Sequence, residues 1–380
     1  YTKAELRELV AYAADRYITI IPEIEMPGHS DEVLAAYPEL RCSHMPERQE
    51  ELCIGKEATF EMMQAILDEV IEVFPSEYIH IGGDEVSTAQ WSRCPDCQAL
   101  MRKEGMSDVS QLQDYFTRRM ERIAAKYGKR IGVWNEAAES GDIDRSALVY
   151  GWESKAACKD VLDKGYRTVV MPGEYFYFDM RQSPREEGHD WAAIFDVRKP
   201  LSFGFEEFTE EQLSRVAGVQ ASFFSEAYIS RLEYDYDFLY YQTYPRICAL
   251  SEVAWSAGGE WEEFYSRLTE EHYERMDKMG LSFRIYPPQV TYAEGILTAV
   301  TDDNTTIYVT HQGVERPYNG PIATDHPEHY TFRSRMENGI SPEAGVKECF
   351  SMMHPTLNIT SSLPIHAEQT LSRAASYLAP

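Results

Sequence analysis

Six stretches of this chain repeat one pattern, an apolar run of strand length that ends in acids or aromatics. They are Ile18-Thr19-Ile20-Ile21-Pro22-Glu23-Ile24-Glu25, Tyr78-Ile79-His80-Ile81-Gly82-Gly83-Asp84-Glu85, Arg130-Ile131-Gly132-Val133-Trp134-Asn135-Glu136, Ala147-Leu148-Val149-Tyr150-Gly151-Trp152-Glu153, Thr168-Val169-Val170-Met171 leading to Tyr177-Phe178-Asp179, and Val219-Gln220-Ala221-Ser222-Phe223-Phe224-Ser225-Glu226. Helical periodicity lies between most of them. Short buried strands alternating with helices imply a parallel α/β sheet. Chemistry collected at the C-terminal ends of successive strands is the arrangement of a TIM-type (β/α)8 barrel. Only six strands are evident where a closed barrel needs eight. The first and last, 18–24 and 219–224, are therefore expected at open sheet edges, and the chain is expected to be a piece of a longer protein.

The intervening helices read plainly. Thr2 caps a helix with Leu6, Leu9, Val10 and Ala13 on one face. A second, over 59–74, carries Phe60, Met63, Ile66, Leu67, Val70 and Phe74. A third carries Leu112, Phe116, Met120 and Ile123 and stops at Gly128. The stretches 86–107 and 180–207 read as long loops, and a helix over 234–255 is expected to break at Pro245. The character changes after Gly280. Residues 1–284 are expected to form the barrel, 285–350 a small β-sandwich-like module, and 351–380 a tail.

The chain has 63 acids against 36 bases, a formal charge of −27. That charge disfavours nucleic acid and anionic membranes as partners. No run of 18 apolar residues offers a membrane span. Of seven cysteines, Cys94 and Cys97 form a C-x-x-C, and Cys42 and Cys53 flank a short excursion. One such pair is a weak metal signal, since a zinc site needs about four ligands. Each pair reads as structural thiols or a local disulfide.

The constellation at the strand ends carries the chemistry. Gly82-Gly83 lets another group approach the backbone before two adjacent acids, Asp84 and Glu85. Trp134, Trp152, Tyr177 and Phe224 stand at other strand ends, as do Asp179 and Glu226, and the turn Met26-Pro27-Gly28 presents His29. Aromatic rings stack on the apolar faces of sugars while carboxylates bind their hydroxyls. Glycosidases ordinarily place two carboxyls across the scissile bond, roughly 5–5.5 Å apart for retention. Neighbouring residues of a strand point to opposite faces, so Asp84 and Glu85 do not suit that task. A substrate that supplies its own 2-acetamido oxygen as nucleophile needs only one acid from the protein. The second carboxylate then holds the acetamido N–H. Glu85, as the acid, needs a raised pKa beside Asp84.

The run His80-Ile81-Gly82-Gly83-Asp84-Glu85 resembles the signature of glycoside hydrolase family 20, the β-N-acetylhexosaminidases. Glu23-Ile24-Glu25-Met26-Pro27-Gly28-His29, Val133-Trp134-Asn135-Glu136, Tyr177-Phe178-Asp179, and Pro245-Arg246 followed by Ser251-Glu252-Val253-Ala254-Trp255 support the resemblance. It covers about residues 1 to 285. It implies an exo-acting retaining enzyme on glycans ending in β-linked N-acetylhexosamine, with no cofactor or metal. Glu85 would be the general acid/base and Asp84 the acetamido-orienting group. Trp134 and Trp152 would wall the acetamido pocket and Tyr177 would bind its oxygen. Asp179 and Glu226 would bind sugar hydroxyls, with His29, Glu25 and Glu136 supporting the acids. The six strands would be the third to eighth, and an extracytoplasmic location is implied. Two departures stand out. Phe224 occupies a position where the family carries Trp, and the family's first two strands, with their sugar-binding Arg, have no counterpart. A glycan-binding protein without turnover and a conventional two-carboxylate glycosidase are the rival readings.

Overall fold

The computed structural model describes residues 1–44, 50–225, 228, 236–301 and 305–346. Glu226 and the tail 351–380 lie outside the described residues. The chain divides into two compact units, Tyr1–Arg284 and Ile285–Pro380.

The first unit is built on one parallel sheet. Its strands are β1 (Tyr78–His80), β2 (Arg130–Trp134), β3 (Leu148–Gly151), β4 (Arg167–Val170) and β5 (Val216–Val219), hydrogen-bonded in chain order. Ile79 lies opposite Ile131, Val133 opposite Val149 and Tyr150 opposite Val169. Around these strands run α1 (Lys3–Ala14), α2 (Asp31–Ala36), α3 (Glu57–Val73), α4 (Pro95–Glu104), α5 (Gln111–Ala125) and α6 (Lys155–Asp163). Phe60, Met63 and Leu67 of α3 and Phe116 and Met120 of α5 form one core with Ile79, Ile131 and Val133. A second core gathers Val169, Val170, Phe176, Phe178 and Phe203. Apart from the exposed Arg130 and Arg167 at their starts, β1 to β4 are buried throughout, so they read as continuous apolar runs.

Three expectations need correction. The stretch 18–24 is not a regular strand: only Glu23 pairs, in a parallel bridge to His80. β1 is three residues long; His80 N–H donates to Pro22 O, Ile24 N–H to His80 O, and Met26 N–H to Ile81 O just past the strand. The last strand begins earlier than expected, at Val216, and the stretch 219–224 is reduced to a bridge between Ser222 and Tyr177. β5 is an edge strand whose middle residues are exposed, and that removed the apolar signal a central strand carries. The stretch 86–107 contains α4, begun by Pro95 and ended by Gly105 at φ +71°. The expected cap of α1 is present, as a capping box of Thr2 with Glu5; on its apolar face Ala13 is buried and Leu9 is 49% exposed. Lys3 pairs with Glu69 and Glu72 of α3 at 3.0 Å each, and Leu6 and Val10 are half-buried.

The expected break at Pro245 is present, between helices Tyr236–Thr243 and Arg246–Ser256.

The second unit is antiparallel. A hairpin of Gln289–Ala293 and Ile296–Val300 turns at Glu294 and Gly295, both at positive φ, and pairs with Ile322–Ala323. A second sheet joins Val314–Pro317, Thr306–His311 and Tyr330–Arg335. Val290, Leu297, Val309 and Phe332 from both sheets share one core.

Candidate active site

The parallel strands deliver their C-terminal residues to one cleft of about 510 Å³. It is lined by Glu25, His29, Asp84, Glu85, Trp134, Trp152, Tyr177, Asp179 and Phe224, all singled out from the sequence, and also by Glu23, His189 and Trp191. Its size suits a small polar ligand with apolar faces.

The turn after β1 is fixed by Glu25. Gly83 N–H donates to Glu25 Oε1 at 3.0 Å. Gly82 sits at φ +72°, and a Cβ there would meet Glu25 Oε1 at 1.5 Å. Glycine is required by both conformation and space. The chain then runs to Glu85 at φ +50°, and His29 opposite adopts φ +43°. Two non-glycine residues in the left-handed region, facing one another, mark a place where surrounding structure holds a strained backbone.

His29 Nε2 lies 3.5 Å from Glu85 Oε2 and 3.7 Å from Asp84 Oδ2. The hydrogen bond to Glu85, with the charge of Asp84, pushes the imidazole up to about 9. The same hydrogen bond holds the Glu85 carboxyl below its ordinary range. The raised pKa expected for Glu85 is therefore absent in this state, because the His29 cation outweighs the effect of burial. Burial first, then the charge of Asp84, pushes Glu25 up to about 9. Glu25 thus carries a proton at neutral pH and bonds to Asp84. Burial also raises Asp84, against that hydrogen bond and the His29 charge.

Glu136 stands behind the cleft wall. Its Oε1 accepts from Glu85 N–H at 3.3 Å and its Oε2 from the Trp152 indole at 2.9 Å. Burial raises its carboxyl to about 7. Trp134 donates its indole N–H to Glu23 Oε1 at 3.1 Å, and buried His80 packs edge-on against Trp134 at 4.7 Å. Burial drives His80 down to about 3, so it is neutral, and its Nδ1 accepts from Gly82 N–H. Both indoles are thus locked by carboxylates, a polar tether on an apolar wall.

From Trp152 onward the wall is aromatic. Trp152 stacks on Tyr177 at 6.1 Å, Trp191 meets both edge-on, and Phe224 leans on Tyr177 at 5.3 Å. Burial raises the Tyr177 phenol, which stays a hydrogen-bond donor. Asp179 is buried, and neither carboxylate oxygen has a hydrogen-bond partner among the described residues. Its loop is gripped by fully buried Arg246, which donates to the carbonyls of Phe178 and of Met180, the latter at 2.9 Å. An unpartnered buried carboxylate in a cleft wall is costly unless a ligand meets it.

The sequence-derived residues converge, except Glu226, which lies outside the described residues. His189 and Trp191 were missed because they sit mid-loop in 180–207, where no periodicity points inward. The loop's length and its single tryptophan were the available signals.

With this cleft at the strand ends, the family model of the glycosyl hydrolase family 20 catalytic domain matches residues 1–258. The chain belongs to that family. It is 32% identical over 336 residues to a beta-hexosaminidase of Porphyromonas gingivalis, covering 84% of this chain and 42% of the relative. Among solved structures it resembles a family 20 exo-β-N-acetylglucosaminidase of Vibrio harveyi in complex with N-acetylglucosamine, with TM-score 0.68, 30% identity, and coverage of 75% of this chain and 46% of that one. A β-N-acetylhexosaminidase of Bacteroides fragilis is similar too, with TM-score 0.64, 28% identity, and coverage of 74% and 58%. The chain spans about half the length of the curated relatives it matches. No helix among the described residues is long and apolar enough to cross a membrane.

Proposed function

We propose that this chain carries the catalytic centre of an exo-acting, retaining β-N-acetylhexosaminidase working through the substrate's 2-acetamido group. The observation that carries the reading is the adjacency of Asp84 and Glu85 at one strand end, facing a wall of Trp134, Trp152 and Tyr177. Glu85, exposed towards the cleft mouth, gives a proton to the leaving glycosidic oxygen. The acetamido carbonyl oxygen attacks C1 as that bond breaks and closes an oxazolinium ring. Asp84 accepts the acetamido N–H and balances the developing positive charge, while Tyr177 O–H donates to the acetamido oxygen. Water, deprotonated by Glu85, then opens the ring, and the two inversions return the original configuration.

The proton on the His29–Glu85 pair sits on His29 in the free site. A bound sugar that excludes water disfavours the separated charges and shifts that proton towards Glu85. Asp179 and Glu226 bind hydroxyls. The substrates are glycans ending in β-N-acetylglucosamine or β-N-acetylgalactosamine, a reading the beta-hexosaminidase relatives support, and the chain meets them outside the cytoplasm. The ionised state of Glu85 also favours a second reading, a glycan-binding site without turnover. NMR of the first-formed anomer from an aryl N-acetyl-β-glucosaminide decides between them. Release of the β anomer supports the mechanism, release of the α anomer contradicts retention, and binding without release supports the second reading.

A further inference from the structure

Away from the cleft, the fold brings together four thiols that the sequence presents as two separate pairs. Cys42, Cys53, Cys94 and Cys97 are each at most 1% exposed, and their sulfurs all lie within 4.8 Å of one another. Cys53 Sγ is 3.6 Å from Cys94 Sγ and 3.7 Å from Cys97 Sγ. A disulfide needs about 2.05 Å. Four sulfurs each about 2.3 Å from a tetrahedral zinc stand about 3.8 Å apart. The spacing matches the metal and not the bond.

The surroundings are those of a thiolate knuckle. Cys94 caps α4, and the backbone N–H groups of Asp96 and Cys97 face its sulfur, while that of Gly55 faces Cys97. These donors stabilise charge on sulfur, as outer-shell groups of a metal centre do. Gly55 permits this approach: a Cβ there would lie 2.4 Å from Cys97 N. Loop 52–55 is held in turn by Trp91 Nε1 donating to Leu52 O at 3.0 Å and Thr59 Oγ1 to Cys53 O at 2.7 Å.

We propose that Cys42, Cys53, Cys94 and Cys97 bind one zinc ion, a structural site that staples three chain segments and steadies the turn bearing His29. The coupling is short. Leu52 N–H donates to Pro27 O at 2.8 Å and Ser30 N–H to Glu50 O at 2.9 Å, bonds that bracket His29 on either side. A closed set of four thiolates leaves no position for substrate, so the ion has no part in hydrolysis. Binding by four cysteines releases their thiol protons to the buffer, with no redox change.

The test is elemental analysis of the purified chain by mass spectrometry, after exchange into metal-free buffer. About one zinc per chain is expected. Replacement by Co²⁺ should give thiolate-to-cobalt charge-transfer bands and intense visible bands of tetrahedral cobalt. Cys97→Ser should lower zinc stoichiometry and shift those bands. Cys158→Ser, at a buried thiol outside the cluster, should leave both unchanged. Because Cys97→Ser could also unfold the chain, the wild-type cobalt spectrum stands as an independent arm. Intact-mass and peptide mapping that found two disulfides among the four cysteines would overturn the proposal. So would four titratable thiols that take up neither Zn²⁺ nor Co²⁺.

Discussion

The imidazole of His29 stands between the two adjacent acids, 3.5 Å from Glu85 Oε2 and 3.7 Å from Asp84 Oδ2. That relationship sets the resting charge of the site and has a consequence for stability. The folded imidazole titrates near 9 against an ordinary 6.5. A raised pKa means the folded chain binds more proton, so the contribution is complete below about 6.5 and lost as pH rises through about 9. Glu85 is depressed, so its share is present above its ordinary 4.5 and lost as pH falls below that. The thermal-stability advantage of wild type over His29→Gln should therefore be largest between pH 4.5 and 6.5 and shrink towards pH 9. A constant advantage across that range would show that the pair does not form.

Glu85→Gln should keep the fold, since the side chain is exposed, and lose about 10²–10⁴ in rate on substrates with poor leaving groups. Substrates with good leaving groups should lose less in the first step. Near-normal turnover of a chitooligosaccharide by the variant would remove Glu85 from the role.

Asp84 is argued to act on the acetamido group and not on C1. A thiazoline mimic of the cyclic intermediate should inhibit the wild type, and Asp84→Asn should bind it more weakly. Trapping a glycosyl ester on Asp84 would contradict the assignment.

Gly82 and Gly105 offer a matched pair, at φ +72° and +71°. Nothing lies within 4 Å of a Cβ at Gly105, so Gly105→Ala carries only the left-handed backbone cost, about 1–2 kcal/mol. At Gly82 the new methyl collides with Glu25, which can move only by giving up its bond to Gly83. Gly82→Ala should cost about 2–5 kcal/mol, the backbone and overpacking costs together. Equal melting temperatures for the two variants would mean that Glu25 does not brace the turn.

Trp191 is 58% exposed at the cleft rim, edge-on to Trp152 and Tyr177. Trp191→Ala should raise KM roughly 2–10-fold through lost aromatic contact and leave the melting temperature unchanged. An unchanged KM would place the sugar out of its reach.

The contrast between Asp84 and Trp191 shows what was legible in the sequence. Asp84, Glu85, Trp134, Trp152 and Tyr177 end or follow buried strands, and a parallel barrel carries its site at the C-terminal strand ends. Trp191 and His189 arrive on a loop whose path depends on long-range packing, such as the grip of Arg246 on Phe178 and Met180. The acidity of Glu85 was misjudged for the same reason. Asp84 is visible beside it in sequence, whereas His29 comes 56 positions earlier and meets it only through the fold. Likewise Cys94-Pro95-Asp96-Cys97 is weak alone, and only tertiary structure adds Cys42 and Cys53.

The central claim is that the substrate's own acetamido group is the nucleophile. Its most direct test compares kcat/KM for an aryl N-acetyl-β-glucosaminide and the matched aryl β-glucoside, which lacks that group. Measurable hydrolysis of the first with none of the second is the predicted result. Comparable hydrolysis of both would contradict the account, because it would require a nucleophile supplied by the protein.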